Sequence, residues 1–135
     1  MLRVSDAQYA ALEAYFAEEF VDQMTRQLFL SFPAECKAKG KRVVTNFVHA
    51  SIERAREKRI GATLESDYRR YVVTEFVLGI DETKKIVDAE RARILARDGQ
   101  VDPTILIFLT YQAMLAKLMP EGPPPPPDPE YEAIA

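Results

Sequence analysis

Few residues in this 135-residue chain have types and spacing that suit chemistry. His49 is the single histidine. It precedes Glu53 by four residues, so on a helix the two share a face and could act together as a base. No motif sets a Ser or Cys nucleophile beside them. Cys36 is the single cysteine, so no intrachain disulfide can form. It follows Pro33-Ala34-Glu35 at an expected helix start with Lys37 next to it, neighbours that can lower a thiol pKa. A free Cys nevertheless usually packs as a small hydrophobe. One His and one Cys do not make a typical zinc site, which takes four N or S ligands, or three with water. Glu18, Glu19 and Asp22 on one helix, and Asp81-Glu82 at the start of another, follow no calcium-loop spacing. They read as a solvated face and as acids complementing a helix N-terminus. Gly40, Gly61, Gly79, Gly99 and Gly122 are isolated, so no Gly-rich phosphate loop is present. The expectation is a protein without enzymatic activity, cofactor or metal. A hydrolase with two carboxylates remote in the chain is the catalytic alternative.

Charge patterning points instead to contact surfaces. The net charge is −3, unevenly spread. Residues 1–36 hold two basic and six acidic side chains, a net of −4. Residues 37–59 hold eight basic residues against Glu53 and Glu57, a net of +6. Residues 60–119 come to −1 and residues 120–135 to −4. In the basic segment, Lys37, Lys39, Lys41 and Arg42 cluster at a helix junction, and Arg54, Arg56, Lys58 and Arg59 crowd a helix end. Some of these complement a helix dipole. The segment reads as a site for an acidic protein partner or as a solvated, internally paired face. No recognition-helix motif or stacking aromatic series accompanies it, and the pI is about 5.3, so nucleic acid is not expected.

The second surface is the C-terminal tail. Pro120-Glu121-Gly122 is followed by five prolines, Pro123 to Pro127, and then Asp128-Pro129-Glu130-Tyr131-Glu132-Ala133-Ile134-Ala135. Consecutive prolines favour the extended polyproline II conformation, without internal hydrogen bonds, which can dock in an aromatic-lined groove. Tyr131 and Ile134 offer anchors at the tip. The plainer reading is a disordered, solubilising tail. The expected contact residues are Lys41, Arg42, Arg54, Arg56, Arg59, Pro125, Tyr131 and Ile134.

The elements that must position these residues read as helices. Hydrophobic residues make up 47% of the chain, enough for one domain with a core. Only Pro33 and Pro103 interrupt the first 119 residues. Ser5-Asp6-Ala7-Gln8 is a capping box, followed by Leu12, Phe16, Phe20, Met24, Leu28 and Phe32 at steps of four, one apolar group per turn. Pro33 ends that helix. A short helix to Lys39 stops at Gly40, and a third runs over 41–59 with Val44, Val48, Ile52 and Ala55 inward. Thr63 is the expected cap of a fourth helix. The β-prone stretch from Tyr71 to Leu78 is read as part of it, because Glu65-Ser66-Asp67 and Gly79 suit a helix start and stop. Asp81 is the expected cap of a fifth. Asp102-Pro103 opens a sixth, running to Met119, with Asp as cap and Pro at the first position. That helix, 103–119, is apolar on nearly every side at its start, as suits a central buried helix or a self-association surface.

The expected fold is all-α: an irregular bundle of five or six helices over 1–119, with the Pro-rich, mostly disordered tail over 120–135. The expected core is Leu12, Phe16, Phe20, Met24, Leu28, Val44, Phe47, Val48, Ile52, Val72, Phe76, Ile105, Phe108, Leu109 and Leu115. The longest apolar run, Ile105 to Leu109, is far short of the roughly 20 residues that span a bilayer. Met1-Leu2-Arg3-Val4 leads directly into polar, acidic sequence without an apolar leader. A cytoplasmic protein with no membrane contact is expected.

Phe20, Met24, Leu28, Phe32-Pro33, Cys36, Ile52, Ala55, Arg56, Ile60, Glu65, Asp67, Arg70-Tyr71 and Phe76-Val77-Leu78-Gly79 resemble a loose pattern in small bacterial proteins. Those proteins are encoded near type VI secretion spikes, effectors and effector-adaptor chaperones. The resemblance covers residues 16–82 and rests on hydrophobic spacings. The family pattern continues with an acidic, Pro- and Trp-containing stretch. Here Ile80-Asp81-Glu82-Thr83 leads into a charged helix, and the chain has no Trp. The resemblance implies a helical adaptor or co-chaperone that helps load a secreted effector, and carries over no catalytic residue. An immunity protein that neutralises a toxin is the alternative.

Overall fold

The computed structural model describes the backbone of residues 6–119 and the side chains of residues 17–119. Among the described residues there are six helices and no strand: α1 (Asp6–Ser31), α2 (Pro33–Lys39), α3 (Lys41–Arg56), α4 (Glu65–Leu78), α5 (Ile80–Asp98) and α6 (Pro103–Leu118). The all-α architecture follows from the scarcity of breakers before Pro120. The β-prone stretch around Val72 is helical because it continues α4, whose buried positions include Tyr71, Val72, Val73 and Thr74. Burial of apolar side chains outweighs β propensities of order 1 kcal/mol. The tail and its expected disorder lie outside the described residues.

The chain divides into two compact units, residues 1–49 and 50–135, with the boundary inside α3. In the first, α2 packs on α1. Pro33 takes the first position of α2, and Gly40 ends it at φ +87°, backbone that glycine adopts readily. Val21, Met24, Leu28, Cys36, Val44 and Val48 are buried. The α1 stripe therefore widens from the strict step of four into the 21, 24, 25, 28 pattern of a helix seated on a core. Thr25 joins it by donating its hydroxyl to the Val21 carbonyl at 2.8 Å. Phe20 and Phe47 are only half-buried. Ser5, and the side chains of Leu12 and Phe16, fall outside what is described.

The second unit is built from α4, α5 and α6, each packed on the other two, with the end of α3 added. Its core gathers Ala55, Ile60, Ala62, Tyr71, Val87, Ile94, Leu106 and Ile107. Helix α3 ends at Arg56, three residues before the expected Arg59. There the backbone turns back: Gly61 N–H donates to the Glu57 carbonyl at 2.8 Å and Ala62 N–H to that of Ala55 at 2.9 Å. Gly61 adopts φ +75°, and a Cβ there would lie 3.3 Å from Pro103 Cγ. The positive φ of the turn favours glycine, and the approach of α6 leaves a Cβ little room.

Three helix starts show which local signals prevail. At α6, Asp102 accepts from Thr104 N–H at 2.9 Å and Pro103 takes the first position, as the sequence indicates. At α4 the cap is not Thr63. The Asp67 carboxylate, fully buried, accepts from the backbone N–H of Leu64 at 3.2 Å and of Thr63 at 3.4 Å. At α5, Gly79 occupies the N-cap position and Asp81 lies in the first turn.

Helix α6 corrects the expected core. Ile105 is 46% and Phe108 36% exposed, while Leu106, Ile107, Thr110, Tyr111 and Met114 are buried. Phe108 keeps one face occupied, with the Arg70 guanidinium 5.1 Å from its ring centre. Val72 is buried as expected, and Phe76, Leu109 and Leu115 are half-buried.

Candidate partner-binding surface

The residues with the chemistry of catalysis are dispersed. His49 is exposed on α3, and Glu53 faces Arg56 at 3.5 Å. Cys36 is buried. Burial first, and then the Glu35 charge, push its thiol pKa up against the opposing pull of Lys39. It is therefore not an activated thiolate. Among the described residues no three His, Cys, Asp or Glu side chains converge as metal ligands would. No helix there is long and apolar enough to cross a membrane.

The basic segment divides into two parts with different fates. In the second unit its side chains turn inward. Arg54 Nε donates to both oxygens of Glu75, at 3.0 and 2.8 Å, and Nη2 reaches Oε1 at 2.6 Å. The Glu75 side chain is 1% exposed and also accepts from the Tyr71 hydroxyl at 2.7 Å. The bidentate contact raises the Arg54 pKa, against the effect of burial. Tyr71 is raised well above the ordinary tyrosine value, by burial and then by its bond to Glu75. Arg56 lies 5.8 Å from the centre of the Tyr68 ring. Arg59 pairs with Asp88 at 3.2 Å, and Arg91 donates to the Arg59 carbonyl at 2.9 Å. Arg54, Arg56 and Arg59 thus stitch the end of α3 and its turn to α4 and α5. Much of the positive charge that the sequence places at 54–59 is balanced at these contacts.

In the first unit, Arg26, Lys37, Lys39, Lys41 and Arg42 are all exposed. Two of them border an apolar groove. Thr25, Arg26, Phe29 and Leu30 of α1, with Lys41 at the start of α3, line a cavity of about 440 Å³. Residues 25, 26, 29 and 30 share one helical face. Leu30 is 83% exposed, and Phe29 is half-buried beside it. Asp22, one turn before Arg26, and Glu35 of α2 are exposed acids of the same unit. An open leucine beside a phenylalanine, bordered by two long cations, has the composition of a docking site for an apolar anchor with acidic flanks.

A second groove, about 490 Å³, is lined by Glu90, Arg93, Ile94, Arg97, Ile105 and Leu109 of α5 and α6. Its cations have acidic neighbours: Arg93 contacts Glu90 at 2.6 Å, and Arg97 contacts Asp98 at 3.2 Å.

Of the contact residues read from sequence, Lys41 lines the first groove and Arg42 is exposed next to it in the chain. Arg54, Arg56 and Arg59 hold the second unit together, and Pro125, Tyr131 and Ile134 lie outside the described residues. Phe29, Leu30 and Arg26 were missed. Their signal is two large apolar residues standing off the Leu28–Phe32 ridge on a helix that already has its buried stripe. Comparison of the chain with protein-family models, with curated proteins and with solved structures found no match.

Proposed function

We propose that this protein is a non-enzymatic adaptor or co-chaperone. It binds a secreted effector in the cytoplasm and assists its loading onto a secretion apparatus. The observation that carries the binding role is the groove at the end of α1, which Leu30, 83% exposed, lines together with Arg26 and Lys41. A helix that buries Met24 and Leu28 completely has no packing need for a large apolar side chain on its open face. Such a side chain beside cations suits recognition of a protein. The secreted effector as partner rests on the resemblance in residues 16–82. Nucleic acid is disfavoured because the arginines at 54–59 are engaged by Glu75, Tyr68 and Asp88, which interrupts a continuous basic track.

The test is calorimetry of the purified full-length protein against the effectors encoded beside its gene. An adaptor binds one of them and leaves its activity intact, and Leu30→Asp weakens binding at least about tenfold, as for a central interface residue. An effector silenced on binding identifies an immunity protein instead. Absence of binding to every neighbouring effector sinks both.

A further inference from the structure

We propose that the Arg26–Leu30–Lys41 groove receives residues 128–135 of a second copy of this chain, so that two copies exchange tails. The inference rests on the groove being a protein-docking site and names the occupant that an effector would have to displace.

Charge complementarity supports it first. Residues 120–135 carry Glu121, Asp128, Glu130 and Glu132 and no basic residue. The groove itself is lined by Arg26 and Lys41 and, among the described residues, by no acid; the first unit also exposes Lys37, Lys39 and Arg42, and the acids Glu18, Glu19, Asp22 and Glu35. Chemistry supports it second. The tip places Tyr131 and Ile134, its two large apolar residues, between and just beyond acids. The groove is lined by Phe29 and Leu30 together with the cations Arg26 and Lys41. Seating a tyrosine and an isoleucine against that floor is worth about 1.5–3 kcal/mol per side chain where fully buried, and the acids meet the rim. Chain length supports it third. Residues 120–127, with their run of five prolines, separate the Asp128–Ala135 segment from Met119. At about 3.1 Å per residue, five consecutive prolines favour roughly 15 Å of stiff, extended spacer, a reach that suits docking on a second molecule. Reciprocal exchange satisfies both grooves at once. It gives a closed two-fold dimer, in which the second contact forms at the high effective concentration set by the first.

Sedimentation of the full-length protein tests this, over about 1–200 μM and at about 0.05 and 0.5 M salt. The wild type is expected to associate reversibly, and the higher salt to raise its dissociation constant at least about tenfold. Leu30→Asp removes the groove's apolar centre at an exposed position, and circular dichroism confirms its fold. The double change Tyr131→Ala with Ile134→Ala removes the anchors outside the helices. Each variant alone should sediment as a monomer. Their equimolar mixture should associate again, more weakly than wild type, because one partner keeps its tail and the other its groove. A wild type monomeric at every concentration overturns tail exchange. So does association that survives in both variants, or a mixture that stays monomeric. A monomeric wild type that still binds its effector through Leu30 leaves the adaptor reading standing. A dimer that binds no effector overturns the adaptor reading alone.

Discussion

Arg54 grips Glu75 across 21 positions of sequence, with Nε on both carboxylate oxygens and Nη2 on one, at 2.6–3.0 Å. The carboxylate side chain is 1% exposed and the guanidinium side chain 24%. Removing one member of such a pair costs more than removing both, because the remaining charge is left buried without compensation. Arg54→Met should therefore destabilise the protein by about 3 kcal/mol, at the lower end for buried pairs because water reaches the arginine. The double variant Arg54→Met with Glu75→Met should cost less than the two single changes added together. Urea unfolding of the four proteins measures the cycle. An Arg54→Met loss below about 0.5 kcal/mol would mean the pair is ornamental.

Tyr71 completes the network and gives it a pH signature. Its pKa in the folded protein is raised above the ordinary value of 10.0, by burial first and then by its hydrogen bond to Glu75. In the unfolded chain the phenol loses its proton near pH 10, whereas the folded protein retains it. Above that pH the unfolded state binds fewer protons, so stability falls as pH rises; below about pH 9 the contribution is complete. Tyr71→Phe lacks this dependence. At pH 8 it should be less stable than wild type by about 1 kcal/mol, from the lost hydrogen bond. Above pH 10 the difference should shrink by up to about 1.4 kcal/mol per pH unit. Urea midpoints from pH 8 to 11 follow it, and a constant difference refutes the protonated, buried phenol.

The network also shows where reading the chain by itself runs out. The start of α6 is legible because Asp102 caps Thr104 N–H two residues away, a contact specified by local order. Arg54 and Glu75 meet only when α3 and α4 are folded together. Along the chain Arg54 is one of eight cations in a segment of +6 and looks available to a partner. Asp67 displaces Thr63 at the α4 start for a related reason. Besides the two N–H groups, its carboxylate accepts from the Thr104 hydroxyl at 3.2 Å, a bond that exists only once α6 has docked. Five consecutive apolar residues, Ile105 to Leu109, carry no period at all. Their inward face is decided by α4 and α5.

That face can be checked directly. Leu106 is fully buried, and Ile105 beside it is 46% exposed. Leu106→Ala should cost about 2–5 kcal/mol, through lost transfer energy and the cavity left behind. Ile105→Ala should cost under about 1 kcal/mol. Chemical denaturation of the two variants separates them by a wide margin. Equal losses would mean that the helix is rotated from the described register.

Asp67 makes a different demand, because one carboxylate serves the α4 start and the α6 hydroxyl together. Asp67→Ala should remove both and cost about 2–3 kcal/mol, a helix cap plus a buried hydrogen bond. Thr104→Val removes only the tie to α6 and should cost about 1 kcal/mol. With Thr104→Val already in place, adding Asp67→Ala should then cost less than it does alone, since the shared bond is gone. Hydrogen exchange at Thr63 and Leu64 gives a readout that global stability does not. Both amides should exchange faster in Asp67→Ala and keep their protection in Thr104→Val. Unchanged protection of those two amides in Asp67→Ala would assign the cap to another group.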